Sequence, residues 1–344
     1  MGPIEVWMID EGNPGHRAQS EGVLDALRRS GLDLSTTRIP CTSKLRGFLR
    51  PVARILTGMP GSRWPLRVAR QFTDFHVPGS PPPAFIISSG GRSAYLSRAL
   101  ACWTGRPNVY VGFPDPFPAH WFTIVMPTVD WPLRATSVIP TGITPSKVTP
   151  EKCRSAAAEY WRGNVPQNCW ALLVGGSSTS HHFGRADWEA MVRGLHTLAQ
   201  NFGIKWLIST SRRTGAVTDE LIRSLVNPRW VEDSTFVSSD PKKVVMPYLG
   251  AAQIAFVTQD SRTMTAEALM SGRPVAIVTP TDVRMPADIN LKALEYILSL
   301  SQVARVAAAA MKDYVVHADP HTTYPEPGER MNRGVAQLRE RLAL

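Results

Sequence analysis

Glycines, hydroxyls and arginines gather in this chain in short segments, each directly after a run of apolar residues. Gly175-Gly176-Ser177-Ser178-Thr179 follows Trp170 to Val174. Paired glycines let a backbone approach an anion closely, and the hydroxyls add donors. The Lys-Ser/Thr ending of a P-loop and the Gly-x-Gly-x-x-Gly spacing are both missing, so an ordinary strand-to-helix turn is the plainer alternative. In Ser209-Thr210-Ser211-Arg212-Arg213-Thr214, arginines flanked by hydroxyls can grip a diphosphate through charge-assisted bonds, and a solvated helix start is the alternative. In Val257 to Ala268, Glu267 follows Asp260 and Ser261 by about two helical turns. A carboxylate there can accept both hydroxyls of a ribose, although alone it reads more simply as a surface glutamate of good helix propensity. Asp10-Glu11-Gly12-Asn13-Pro14-Gly15-His16-Arg17 carries a histidine whose ordinary pKa suits proton transfer near neutrality. Asp10, Glu11 and Asp115 compete with it as bases, and a capping or core histidine is the plainer reading. Ser89-Gly90-Gly91-Arg92 and Phe113-Pro114-Asp115-Pro116 are further loops of this kind. No metal is expected: His181 and His182 are adjacent, His317, Asp319 and His321 flank a proline, and no Asp-x-Asp occurs.

Such loops need a scaffold that brings strand ends together. Apolar runs predict strands at Ile4 to Ile9, Ala84 to Ser88, Asn108 to Gly112, Phe122 to Met126 and Val138 to Ile143, with helices from His16 to Arg29 and, after the turn Ser89-Gly90-Gly91, through Trp103. Pro145 to Pro166 reads as a connection containing one helix. A second cycle has strands at Trp170 to Val174, Lys205 to Thr210, Ile254 to Thr258 and Pro274 to Val278. Its helices run from Asp187 to Phe202, Val217 to Val226 and Met264 to Ser271. Alternating strands and helices imply parallel sheets with crossover helices, and ligands at the carboxyl ends of the strands. The expected architecture is α/β: two doubly wound Rossmann-like domains facing a cleft. They would comprise residues 1–148 and 149–327, with a terminal helix in 328–344 packing back on the first.

Length and composition bound the rest. The 344 residues, 43% hydrophobic and 19% charged, suit two domains with cores rather than a disordered chain. The longest apolar runs, Pro83 to Ser88 and Val303 to Met311, fall short of the ~18–20 residues that span a bilayer. Met1 to Asp10 lacks a secretory pattern, and Cys41, Cys102, Cys153 and Cys169 are widely spaced, so a reduced, cytoplasmic setting is expected. The net charge of +10 is uneven: between Asp33 and Asp74 lie Arg38, Lys44, Arg46, Arg50, Arg54, Arg63, Arg67 and Arg70, with no acid. Interleaved apolar residues from Lys44 to Phe72 suit an anionic membrane surface, against the alternative of an amphipathic helix pair with a solvated basic face. No nucleic-acid recognition motif accompanies the charge.

Together, Asp10 to Gln19 (DEGNPGHRAQ), Gly175 to Ser178 (GGSS), Ser211 to Thr214 (SRRT) and Val257 to Val275 (VTQDSRTMTAEALMSGRPV) resemble the plant mitochondrial-fission-factor (ELM) family and its bacterial relatives, which are regarded as glycosyltransferases of GT-B architecture. The last segment also looks like the nucleotide-sugar domain of MurG-type glycosyltransferases. The resemblance implies His16 near the reaction centre, Glu267 on a ribose, and Ser177, Ser178, Arg212 and Ser261 around a diphosphate, with Gly175, Gly176 and Asp260 in the same site. Asn13, Gly15 and Arg92 would line the first-domain side, with Asp115 as second candidate base. Two departures stand out: Glu11 is inserted, with Asn13 for the family's Lys, and GGSS-Thr-Ser-His-His replaces the commoner Gly-Gly-Pro-Ser. The expectation is a metal-independent glycosyltransferase without cofactor, peripheral at the inner membrane, taking a nucleotide sugar and an acceptor hydroxyl of a lipid-linked or cell-envelope glycan. A sugar-nucleotide epimerase or hydrolase on the same fold, and a non-catalytic interaction protein, are the alternatives.

Overall fold

The computed structural model describes residues 2–43, 50–58, 64–77, 79, 82–130, 137–284 and 289–344. The chain divides into two compact units, Met1–Lys147 with Glu329–Leu344, and Val148–Gly328. Each is a doubly wound α/β unit in the Rossmann manner.

The first unit begins with β1 (Ile4–Asp10), α1 (Pro14–Arg29) and β2 (Leu34–Pro40). Pro14 fits the first turn of α1, where its missing N–H would have no partner, so the helix starts two residues before the expected His16. The side chain of Asn13 caps it by accepting the Gly15 N–H at 2.9 Å, and Arg28 and Arg29 complement the dipole at its end. The short strands β3 (Thr42–Ser43) and β4 (Thr73–Asp74) pair antiparallel around α2 (Arg50–Gly58) and α3 (Trp64–Phe72). β5 (Phe85–Ser88), α4 (Gly91–Thr104), β6 (Asn108–Val111) and β7 (Ile124–Met126) follow. The sheet is parallel throughout, in the order β2-β1-β5-β6-β7. Trp7, Ile9, Ile86, Leu96 and Leu100 form one of its buried clusters. The strand expected at Val138 to Ile143 does not form. Only a bridge from Val125 to Val138 is present, because Pro140 has no N–H to donate and Gly142 turns the chain at φ +82°.

The second unit opens with α5 (Pro150–Tyr160) and β8 (Cys169–Leu173). Next come β9 (His181–His182), α6 (Arg185–Phe202), β10 (Lys205–Ser209), α7 (Gly215–Leu225), β11 (Val231–Thr235) and α8 (Val245–Ala251). It closes with β12 (Ala252–Thr258), α9 (Arg262–Met270), β13 (Val275–Thr279), β14 (Asp282–Val283), α10 (Ile289–Leu298) and β15 (Val303–Ala307). The last helix, α11 (Glu326–Arg341), belongs from Glu329 onward to the first unit. The main sheet is parallel, in the order β11-β10-β8-β12-β13-β15, and β9 pairs antiparallel with β14 outside it. Trp170, Leu172, Trp188, Leu195, Trp206 and Phe256 are buried together, and the Trp206 indole N–H reaches the Leu195 carbonyl at 2.9 Å. Burying each such side chain stabilises the unit by roughly 1.5–3 kcal/mol before entropy is counted.

Candidate functional site

In each sheet the strand order reverses at one point, and there the loops leave a crevice open beyond the strand ends. In the first unit that point lies between β1 and β5; in the second it lies between β8 and β12. Of the loops singled out from sequence, those after β1, β5, β8 and β12 stand at these two points, while residues 209–214 lie at the end of β10 and residues 113–116 follow β6, each one strand away.

At the first crevice, Asp10 ends β1. Its buried carboxylate accepts the Gly12 N–H at 2.9 Å and pairs with Arg17 at 3.1 Å and with Arg38. Glu11 reaches two ways. One oxygen accepts the backbone N–H groups of Arg92 (2.7 Å) and Ser93 (3.1 Å) at the start of α4; the other meets His16 Nδ1 at 2.5 Å. Burial pushes the Glu11 carboxyl up, but His16 and the two amides outweigh it and hold the group below its ordinary value. An ionised carboxylate only accepts, so a neutral His16 carries its proton on Nδ1 and presents the lone pair of Nε2. His16 is about a third exposed, at 35% of its side chain. Gly90 stands at φ +93°, a conformation that favours glycine, and a Cβ there would displace the His16 ring and stand 2.5 Å from Glu11 Oε1. Asn13 and Gly15 form the cap of α1, and Arg92 contributes its N–H while its side chain is exposed. Asp115 is exposed in the loop after β6, and two residues later Phe117 packs 3.5 Å from where a Gly91 Cβ would be. Burial first, then the charges of Glu11 and Asp10, push the Cys41 thiol up to about 12, so it is inert.

At the second crevice, three loops close on one another. The Gly175 N–H donates to Thr258 Oγ1 at 2.7 Å, and Ser211 Oγ donates to the Gly175 carbonyl. A Cβ on Gly175 would run into the Asp260 carboxylate and lie 2.7 Å from Ser261 Cβ. On Gly176, at φ +120°, it would lie 2.6 Å from the Arg213 carbonyl oxygen and 2.8 Å from the Thr214 nitrogen. The Asp260 side chain is 0% exposed and pairs with Arg213 at 2.8 Å. Burial pushes its carboxyl up to about 6, against the opposing pull of Thr258 and Arg213. Ser261 caps α9. Glu267 is half-buried within that helix, near enough to α5 to add its charge to the burial that pushes the Cys153 thiol up to about 12. Ser177 Oγ accepts the Phe183 N–H at 3.1 Å, and Ser178 Oγ the His181 N–H at 3.2 Å, so both hydroxyls brace their own loop.

Gly175, Gly176, Asp260 and Ser261 therefore meet. Arg212 is exposed, and its neighbour Arg213 makes the ion pair. Thr214 and Thr258 stand within the segments read from sequence but have no role of their own there. Thr214 Oγ1 donates to the Val174 carbonyl at 3.2 Å, and Thr258 fixes Gly175. Hydroxyls at three neighbouring strand ends were their only signal. Among the described residues no three His, Cys, Asp or Glu side chains group to hold a metal ion. None of their helices is long and apolar enough to cross a membrane. Of the basic stretch Lys44 to Phe72, residues 44–49 and 59–63 lie outside the described residues; Trp64, Arg67 and Arg70 share an exposed face of α3.

The family model for mitochondrial fission ELM1 matches residues 14–327. No curated protein matches the chain in sequence. Among solved structures, the UDP-GlcNAc 2-epimerase of Methanocaldococcus jannaschii is similar at TM-score 0.58 and 9% identity, over 98% of this chain and 99% of that one. The UDP-GlcNAc 2-epimerase of Neisseria meningitidis, bound to UDP-GlcNAc, follows at 0.54 and 10%, over 99% and 100%. Arabidopsis thaliana UGT89C1 is similar at 0.50 and 12%, over the whole of both chains (100% each). At these identities the likeness is one of fold, the GT-B fold.

Proposed function

The chain belongs to the mitochondrial fission ELM1 family, and from that premise we propose that it is a glycosyltransferase acting on a nucleotide-sugar donor. One observation carries the reading: loops from β8, β10 and β12 converge at the second unit's crevice with paired glycines, arginines and the N-terminal turns of α7 and α9. That is the chemistry of a diphosphate site. The UDP-GlcNAc held by the Neisseria protein supports the class of ligand by likeness of fold.

In the proposed reaction, Gly175, Gly176, Ser261 and the pair Arg212 and Arg213 hold the diphosphate, and Glu267 accepts from the ribose. The acceptor oxygen bonds to the anomeric carbon as the bond to the phosphate oxygen breaks. The electron pair leaves with the nucleoside diphosphate, and the acceptor proton passes to Nε2 of His16, with Asp115 the second candidate base. Arginines and helix dipoles stabilise the departing phosphate charge, a role that needs no metal or cofactor. The exposed Trp64, Arg67 and Arg70 support an acceptor presented at an anionic cytoplasmic membrane surface; loss of vesicle binding in a charge-reversed α3 would test that step.

The first experiment is thermal unfolding with UDP, GDP, ADP and CMP, since a bound nucleotide raises stability as RT ln(1 + [L]/Kd). A shift that Glu267→Ala weakens is the expected result. No shift with any nucleotide overturns the enzyme reading in favour of a non-catalytic protein. Epimer or free sugar formed from the donor without acceptor would replace transfer by epimerisation or hydrolysis.

A further inference from the structure

Beside the glycine loop lies a pocket of about 330 Å³ that the proposed diphosphate contacts do not use. It is lined by Ser178, Thr179, Ser180, His182, Asp282 and Arg284, together with His181. Two Cα steps of 3.80 Å keep Ser178 within about 7.6 Å of Gly176, so the pocket adjoins the diphosphate site.

Its walls are built and braced. β9 pairs with β14, and the Arg284 N–H donates to the Ser180 carbonyl at 2.8 Å. The buried Asp187 accepts the Gly184 N–H at 2.9 Å with one oxygen and both the N–H (3.1 Å) and hydroxyl (2.7 Å) of Thr281 with the other, tying the two walls from below. His181 is buried at 4% exposure; Nδ1 lies 2.9 Å from Ser180 Oγ, and Nε2 has no hydrogen-bond partner. Burial, then the charge of Arg305, holds its imidazole below its ordinary pKa, so it braces the loop as a neutral ring.

The chemistry of the lining narrows the ligand. The fork of Arg284 is engaged by Asp282 at 3.1 and 3.3 Å, which leaves no excess cation for another phosphate. Hydroxyls, an imidazole and a carboxylate beside a guanidinium offer donors and acceptors in alternation, and an apolar chain would leave them unpaired. Sugar hydroxyls both donate and accept. The volume stands at the lower end of the 300–1,000 Å³ typical of ligand pockets, which suits one sugar ring rather than a whole nucleotide sugar.

We propose that this pocket reads the sugar of the donor, an uncharged hexosyl group, through Thr179, His182 and Arg284, and so sets donor choice. The inference rests on the reading of the second crevice as a nucleotide site. The loop's departure from Gly-Gly-Pro-Ser, with Thr179, Ser180, His181 and His182, then has a physical purpose: these residues make one wall of the pocket.

The test compares matched probes by calorimetry on the full chain: UDP with UDP-N-acetylglucosamine, GDP with GDP-mannose, and ADP with ADP-glucose. One sugar conjugate is expected to bind more tightly than its parent diphosphate. Thr179→Ala combined with Arg284→Ala, both exposed positions, should weaken that conjugate about tenfold and the diphosphate less than about twofold. His182→Ala should act the same way more weakly. Equal weakening of conjugate and diphosphate, or no effect on either, overturns the sugar assignment while the nucleotide reading stands. If no diphosphate binds, the nucleotide reading fails and takes this inference with it.

Discussion

Each unit places a carboxylate at the reversal point of its sheet, and the two are treated in opposite ways. Glu11 receives two helix N–H groups and an imidazole, and its carboxyl is held below its ordinary pKa. Asp260 is sunk beside Gly175 with Arg213 as its charged partner, and burial pushes it up to about 6. A protein carboxylate already fills the N-terminus of α4, so an external anion has no place there; what the first crevice offers is a fixed imidazole. The second leaves α7 and α9 without an acidic residue in their first turns and keeps arginines at its mouth. Under the proposed function, the contrast separates a site suited to moving a proton from one suited to holding an anion.

The sharpest way to break this contrast is through the glycines. Gly176→Ala adds strain at φ +120° and drives a Cβ into backbone atoms of Arg213 and Thr214 that have nowhere to go. A loss of about 3 kcal/mol or more is expected, roughly 10 °C in Tm, with nucleotide binding abolished. In Gly90→Ala the obstacles are the ends of His16 and Glu11, which can swing aside. Its loss should be about half as large, and should fall on turnover rather than on nucleotide affinity. Calorimetric unfolding of both variants decides the matter; equal losses would mean that the two loops are equally rigid.

The scaffold was legible where strands are buried and loops are marked. β1, β5, β8, β12 and β13 are apolar runs closed within two residues by Asp, Ser, Gly or Thr, so the loops of both crevices could be read from the chain. The edge strands β2 and β11 could not: their partly exposed patterns, such as Leu34–Pro40 with two fully buried residues, carry too little apolar signal, and β15 lies in the apolar run Val303 to Met311, whose period alone does not mark it as a strand. Glu11 and His16 stood in one motif, but the partners that define Glu11, Arg92 and Ser93, lie 81 and 82 positions away. Which of Arg212 and Arg213 turns toward Asp260 depends on how the Gly176 turn meets the loop after β10. Sequence spacing does not encode that contact.

Acid titration sharpens the comparison next. The folded state binds a proton at Asp260 more tightly than the unfolded chain, so the stability this group supplies is full below about pH 4 and is lost as pH rises through about 6. A shift from 3.8 to about 6 bounds the effect at about 3 kcal/mol. Glu11 works in reverse: its contribution is present above its ordinary value of 4.5 and is lost as pH falls through its lower folded pKa. Urea unfolding from pH 3 to 8 should therefore show Asp260→Asn flattening a decline toward neutrality, and Glu11→Gln flattening a decline toward acid. Slopes of the same sign in both variants would erase the distinction between the two carboxylates.

The smallest effect separates the adjacent arginines. Arg213 is half exposed, so its ion pair is weakened by solvent, yet removing it leaves the buried Asp260 carboxylate without its charged partner. That carboxylate can escape the penalty by taking up a proton. Arg213→Ala should then be nearly neutral at pH 5 and destabilising at pH 8, by about 1 kcal/mol. Arg212→Ala should leave stability unchanged at both values, because its exposed side chain braces nothing in the loop. Nucleotide affinity should fall in both variants, by about tenfold or less each. If Arg212→Ala reproduces the pH-dependent loss, then Arg212 and not Arg213 sustains the charge of Asp260, and the inner and outer roles of the two arginines are reversed.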